Sequence, residues 1–204
     1  MSTTLLHVAR AFTPSTEIPD AAILFRDGVI DSVAPRSAVT LPTGARELIA
    51  TDKIAAPGFL DVHIHGAGGR DVMDATEDAL QAVSRMVATH GTTSFVATTV
   101  TASPESICRS AEGIASYISL QHQSDDCRAD ILGIHFEGPF ISPARRGVHP
   151  PEFLKLPSAD LLEQFIDAAK GNARILTLAP ELLGAMPCID AARKALRPGV
   201  PGPG

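Results

Sequence analysis

Tryptophan is absent from this chain, tyrosine occurs once, and only three cysteines are present. Cys108, Cys127 and Cys188 are far apart and odd in number, with no Cys-x-x-Cys pair. That indicates neither a disulfide framework nor a zinc knuckle, and favours buried or incidental thiols of a reducing compartment. Long apolar runs are missing too: none reaches the ~18 residues of a membrane span, and Met1–Arg10 lacks a secretory pattern. A cytoplasmic location is the expectation. Basic charge is in deficit, with 17 Lys and Arg against 23 Asp and Glu and a net charge of −6. This argues against nucleic acid or a membrane as partner. A small anionic substrate responds to local charge only and stays open.

What is present is an ordinary globular composition, 45% hydrophobic and 20% charged over 204 residues. That is enough chain for a real core and for one or two domains. Residues 1–54 read as short strands: Leu5–Ala9, Ala21–Phe25, Val29–Val33 and another near Glu47–Ala50. Asp27-Gly28 between the second and third is a hairpin signal, because a tight primed turn needs positive φ. Such a meander is too small to bury two faces alone and should pack on something else.

From residue 55 to 196 strands and helices alternate. Thr76–His90 carries a helical stripe of Ala79, Leu80, Val83, Met86, Val87 and His90. Thr76 can cap its start and Gly91 can end it. Thr92–Thr99 is an apolar, β-branched run suited to a buried parallel strand. Ser103-Pro104-Glu105 opens a second helix, with Ile107, Ala111, Ile114, Ala115 and Ile118 on its stripe. A polar loop, Gln121–Arg128, leads into the strand Asp130–Phe136. A third helix, Ser158–Lys170, a fourth strand, Arg174–Ala179, and a helix over Pro187–Leu196 follow. An α/β class with a parallel sheet is implied. Half of a (β/α)8 barrel and a small open sheet fit the local pattern equally. Residues 197–204 alternate proline and glycine and are expected to be a disordered tail.

Chemistry is expected first at Pro57–Gly66. As a strand, this stretch puts Asp61, His63 and His65 on one face and Leu60, Val62 and Ile64 on the other, packed against helices. The two imidazoles then lie about 7 Å apart along the strand, close enough to converge on one divalent ion. Asp61 could orient an imidazole from behind. Gly66, Gly68 and Gly69 follow the strand and let backbone approach the site. A second cluster ends the strand Ile131–Glu137, where His135 and Glu137 share a face. Glu137, at the rim where α/β folds keep their sites, completes a His63/His65/Glu137 ligand set suited to zinc or another first-row metal. Arg145 and Arg146, in the loop beyond, could meet an anionic substrate but read more simply as solvated. Glu181 could face the site or stand at a helix start.

Pro57–Gly69, Gly91-Thr92-Thr93, Gly133–Pro139, Gly147-Val148-His149 and Leu178–Glu181, in this order, resemble the N-acetylglucosamine-6-phosphate deacetylases. These enzymes belong to the metal-dependent amidohydrolase superfamily. The resemblance implies the first four units of a (β/α)8 TIM-type barrel over residues 55–196 and strands of a small β-sandwich over residues 1–54. It implies hydrolysis of N-acetyl-D-glucosamine 6-phosphate to D-glucosamine 6-phosphate and acetate, in amino-sugar catabolism. Glu137, His63 and His65 match metal positions for one or two ions of zinc, iron or manganese. Val148, through its backbone, and His149 match a sugar-contacting loop, and a homodimer is implied for a full-length protein. Two further histidines and a catalytic aspartate of the family fall on later strands, so no catalytic residue is assigned here and the chain reads as truncated, with doubtful activity alone. Alternatives are a cyclic amidase of the dihydroorotase or hydantoinase kind, which usually has a metal-bridging lysine at the end of the fourth strand, and a non-catalytic metal-binding fragment.

Overall fold

A computed structural model describes residues 2–121 and 127–196, which fall into two compact units divided after Pro57. The expected tail at 197–204 and most of the expected polar loop at 121–128 lie outside the described residues. No helix among the described residues is long and apolar enough to cross a membrane.

The first unit is a four-stranded sheet of β1 (Thr3–Phe12), β2 (Glu17–Arg26), β3 (Val29–Pro35) and β4 (Arg46–Ala55), in the order β3-β2-β1-β4. Asp27 and Gly28 turn β2 into β3 with φ of +48° and +81°, the left-handed pair that a two-residue hairpin demands. The meander expectation needs one correction. β4 pairs with β1 in parallel, so β3 and β4 run the same way. A tight turn cannot join strands of one direction, and residues 36–45 carry the chain across the sheet instead. Val8, Ala11, Ala21 and Ile23 form one small core, and Leu5, Ala22 and Leu24 another. His7 is buried between strands and meets Glu47 at 2.9 Å.

The second unit runs β5 (Phe59–Ile64), the two-residue strands β6 (Gly66–Ala67) and β7 (Arg70–Asp71), α1 (Glu77–Ala88), β8 (Thr92–Thr99), α2 (Pro104–Ile118), β9 (Asp130–Glu137), α3 (Ala159–Ala168), β10 (Ala173–Thr177) and α4 (Ala185–Ala195). β5, β8, β9 and β10 form one parallel sheet in chain order, each followed by a helix. Helix starts follow from side-chain chemistry. Thr76, Ser103 and Ser158 accept hydrogen bonds from Ala79, Ser106 and Leu161 at 3.2–3.3 Å, satisfying amides the first helical turn leaves open.

The core lies between sheet and helices. Leu80, Val83 and Val87 of α1, Ile107, Ala111 and Ile114 of α2, and Leu162 and Phe165 of α3 pack on Phe95, Ala97, Ile134 and Phe136. Phe136 and Phe165 stack with centroids 5.6 Å apart. Met86 and His90, expected on the α1 stripe, are exposed, and Ser84 takes a buried place there. A larger departure concerns β5. Leu60 and Val62, expected to pack on helices, remain 56% and 52% exposed, and only Ile64 reaches the core. The strand is at the sheet edge among the described residues, paired with β8 alone, so its outer flank has no cover.

Candidate metal centre

The face of the sheet opposite the helices gathers the polar residues of alternate positions. A bulge in β9 sets their phase: Phe95 pairs with Ile131 and Val96 with Gly133, so Leu132 is skipped. Gly133 has φ of +154°, and an added Cβ would strike the Arg174 side chain and the Asn172 carbonyl. Past it, Ile134 and Phe136 face the helices while His135 and Glu137 share the other face. Glu137 is the last residue of β9, in register with Thr177 of β10. Gly138 then turns the chain with φ of +86°, where a side chain would run into Thr101.

His63, His65 and Glu137 meet. Their ligand atoms lie within 4.8 Å of one another. His63 Nε2 and His65 Nε2 are 3.1 Å apart, and Glu137 Oε2 is 3.1 Å from His65 Nε2 and 3.7 Å from His63 Nε2. Ligands held 2.0–2.1 Å from a tetrahedral ion stand about 3.3 Å apart, so the triangle has the size one first-row metal requires. The donor chemistry agrees. His65 Nδ1 lies 3.0 Å from the Thr98 carbonyl, which can only accept, so Nδ1 carries the proton and Nε2 offers its lone pair inward.

Asp61 does not orient an imidazole. Its carboxylate accepts from the His63 backbone N–H at 3.0 Å, because β5 bulges between Asp61 and Ile64 and frees amides there. His149 is buried beside the group, its Nε2 3.8 Å from Glu137 Oε1, whereas the Val148 side chain is 96% exposed. Arg146 donates to the His149 carbonyl at 2.9 Å within the same loop and is therefore more than a solvated charge. Arg145 and Glu181 are exposed.

Three residues of this face were without a sequence-derived role. His135 is buried, with Nε2 2.8 Å from Thr177 Oγ1 and Nδ1 3.4 Å from Thr98 Oγ1, and its ring stands edge-on to His63 at 5.1 Å. Burial, and next the charge of His63, hold its imidazole below the ordinary histidine range, so it serves as a neutral hydrogen-bonding ring. Thr98 and Thr177 stand in register with His135 and Glu137 across neighbouring strands, a placement that follows from pairing and not from local pattern.

The amidohydrolase family model matches residues 54–189, most of the second unit. The chain belongs to the amidohydrolase family. That family is metal-dependent, and the His63/His65/Glu137 group lies inside the match. N-acetylglucosamine-6-phosphate deacetylase of Bacillus subtilis is 34% identical over 169 residues, which is 83% of this chain and 42% of that protein. N-acetylgalactosamine-6-phosphate deacetylase of Escherichia coli O157:H7 is 33% identical over 188 residues, 91% of this chain and 47% of its own length. Among solved structures, a mutant N-acetyl-D-glucosamine-6-phosphate deacetylase of Mycobacterium smegmatis in complex with N-acetyl-D-glucosamine-6-phosphate superposes with a TM-score of 0.78 at 32% identity. That match covers 96% of this chain and 48% of the other. The chain spans less than half the length of each of these proteins. The four β/α units are those of a TIM-type barrel, compatible with a small β-sandwich part for the first unit. The open-sheet alternative is set aside by this likeness.

Proposed function

We propose that this chain carries the opening half of a metal-dependent deacetylase site for an N-acetylated hexosamine 6-phosphate, with N-acetyl-D-glucosamine 6-phosphate as substrate and D-glucosamine 6-phosphate and acetate as products. The observation that carries the reading is the convergence of His63 Nε2, His65 Nε2 and Glu137 Oε2 on one point at the strand ends. A divalent ion held there supplies a polarised amide carbonyl and a water acidic enough to attack at neutral pH. Zinc, iron and manganese all suit two imidazoles and a carboxylate.

His65 is kept in the metal-binding tautomer by the Thr98 carbonyl, and Glu137 adds a carboxylate oxygen to the two imidazole donors. His149, beside Glu137, offers a ring to a sugar hydroxyl, and the Val148 backbone lies in the same loop. Glu137 is the one carboxylate of the ligand group among the described residues. It is committed to the ion, so the carboxylate that passes a proton to the leaving amine is assigned to a part of the family barrel outside this sequence. The cyclic-amidase alternative is disfavoured, since Lys170 precedes β10 and is exposed, at the opposite end from Glu137. The proposed setting is cytoplasmic amino-sugar catabolism, with a homodimer for the full-length enzyme.

Two measurements test the reading. Zinc titration of the chain by calorimetry should show stoichiometric binding that collapses in Glu137→Gln and in a His63→Ala/His65→Ala double variant. Their loss should exceed the roughly 10–100-fold that removal of an outer partner costs. Acetate release from the glucosamine and galactosamine epimers, with each metal added, should stay near background for this chain alone. Robust turnover would overturn the assignment of the proton-transfer carboxylate.

A further inference from the structure

Thr98 lies outside the ligand group yet contacts Ile64, His65 and His135 around it. The β5–β8 register pairs Asp61 with Phe95 and Ile64 with Ala97, so β5 uses three steps where β8 uses two. A bulge of this kind strips a backbone amide of its ladder partner. The Ile64 N–H, between the two histidines, donates to Thr98 Oγ1 at 3.1 Å. The Thr98 carbonyl accepts from His65 Nδ1 at 3.0 Å, and Thr98 Oγ1 lies 3.4 Å from the Nδ1 of His135, whose ring braces His63. Thr98 is fully buried, so water cannot replace its hydroxyl.

We infer that Thr98 is a positioning residue: its hydroxyl fixes the bulged His63–Ile64–His65 segment and so sets the affinity of the metal centre. The inference rests on the metal-binding reading and goes past it, because it concerns a side chain that supplies no ligand atom. β5 is laddered on one side only among the described residues. Its histidines therefore have little else to hold them. A valine at this position keeps the shape and the carbonyl, but it leaves the Ile64 amide without an acceptor. A serine keeps the hydroxyl and loses only a methyl group.

The test compares zinc affinity of the parent chain, Thr98→Val, Thr98→Ser and Glu137→Gln by calorimetry, alongside NMR of imidazole nitrogens and amide exchange without metal. Thr98→Val should bind zinc about 10–100-fold more weakly, with Thr98→Ser close to the parent. In Thr98→Val the Ile64 amide should exchange faster while Phe95 and Ile134 stay protected, which a general loosening would not produce. Unchanged zinc affinity in Thr98→Val, with binding abolished in Glu137→Gln, would overturn the role of Thr98 and leave the metal reading intact. Zinc binding indifferent to Glu137→Gln would instead overturn the metal reading on which the inference stands. Should Thr98→Val fail to fold, the parent decides. A protected Ile64 amide and a His65 ring protonated at Nδ1 support the inference, and a freely exchanging Ile64 amide overturns it.

Discussion

β9 and β5 each bring candidate ligands to the same point, and they are held in opposite ways. β9 has a strand on both sides and helices on one face, and its Ile131, Ile134 and Phe136 are buried. β5 has one neighbouring strand among the described residues, a bulge in its middle, and Leu60 and Val62 open to solvent. The carboxylate thus stands on a rigid central strand, while the imidazole pair rides on an edge strand secured by local hydrogen bonds. Packing places Glu137, and polar side chains place the histidines. Substitutions of the apolar side chains that support each strand should consequently cost different things: large losses of fold stability in β9 and small ones in β5.

The largest effect on stability is expected at Phe136. Its ring is fully buried and stacked on Phe165, with Phe140 6.2 Å from the same partner. Phe136→Ala should cost about 3–5 kcal/mol, lost transfer energy plus the cavity left behind. For a unit of this size that is a large part of the whole stability. Chemical denaturation followed by far-ultraviolet circular dichroism would read it. A cost below about 1 kcal/mol would mean that the central strand is no better packed than the edge, and the contrast would fail.

A smaller effect belongs to Gln121, which closes the start of β9. Its carboxamide accepts from the Ile131 N–H at 2.9 Å and donates to the Ile131 carbonyl at 3.2 Å, standing in for a neighbouring strand. Gln121→Leu keeps the bulk and leaves two buried backbone groups unpaired, for about 1–3 kcal/mol. Amide exchange at Ile131 should accelerate with it. An unchanged denaturation midpoint would show that water reaches Ile131 and that β9 is less enclosed than its burial implies.

The same contrast separates what could be read from the sequence and what could not. Helix starts were legible because Thr76, Ser103 and Ser158 act within their own first turn. The Asp27-Gly28 turn was legible because backbone sterics alone demand it. Thr92–Thr99 was legible as a strand from its β-branched run, although only residues 95–99 of it are buried. Edge position is not a local property: Leu60 and Val62 have the alternation of a packed strand, and only the sheet order reveals their open flank. The bulges at Asp61–Ile64 and Leu132–Gly133 arise from pairing between strands, so they too escaped. The meeting of His63, His65 and Glu137 was readable, since they sit at strand ends of a β/α series. Thr98 was hidden because a threonine in a β-branched run looks like strand propensity.

The smallest effect is expected at the open flank of β5, and it is the sharpest test of the contrast. Leu60 and Val62 have their side chains half in water, so Leu60→Thr/Val62→Thr removes little buried area and puts β-branched residues with good strand propensity at both positions. The double variant should shift stability by no more than about 0.5 kcal/mol per site and leave zinc affinity at the parent value. A loss approaching that of Phe136→Ala would mean these side chains are covered in solution. The flank would then be an interface, for which a concentration-dependent sedimentation coefficient of the parent, absent in the variant, is the independent sign. In that case the histidine strand would owe its order to a partner surface as well as to Thr98, and metal affinity would fall together with association.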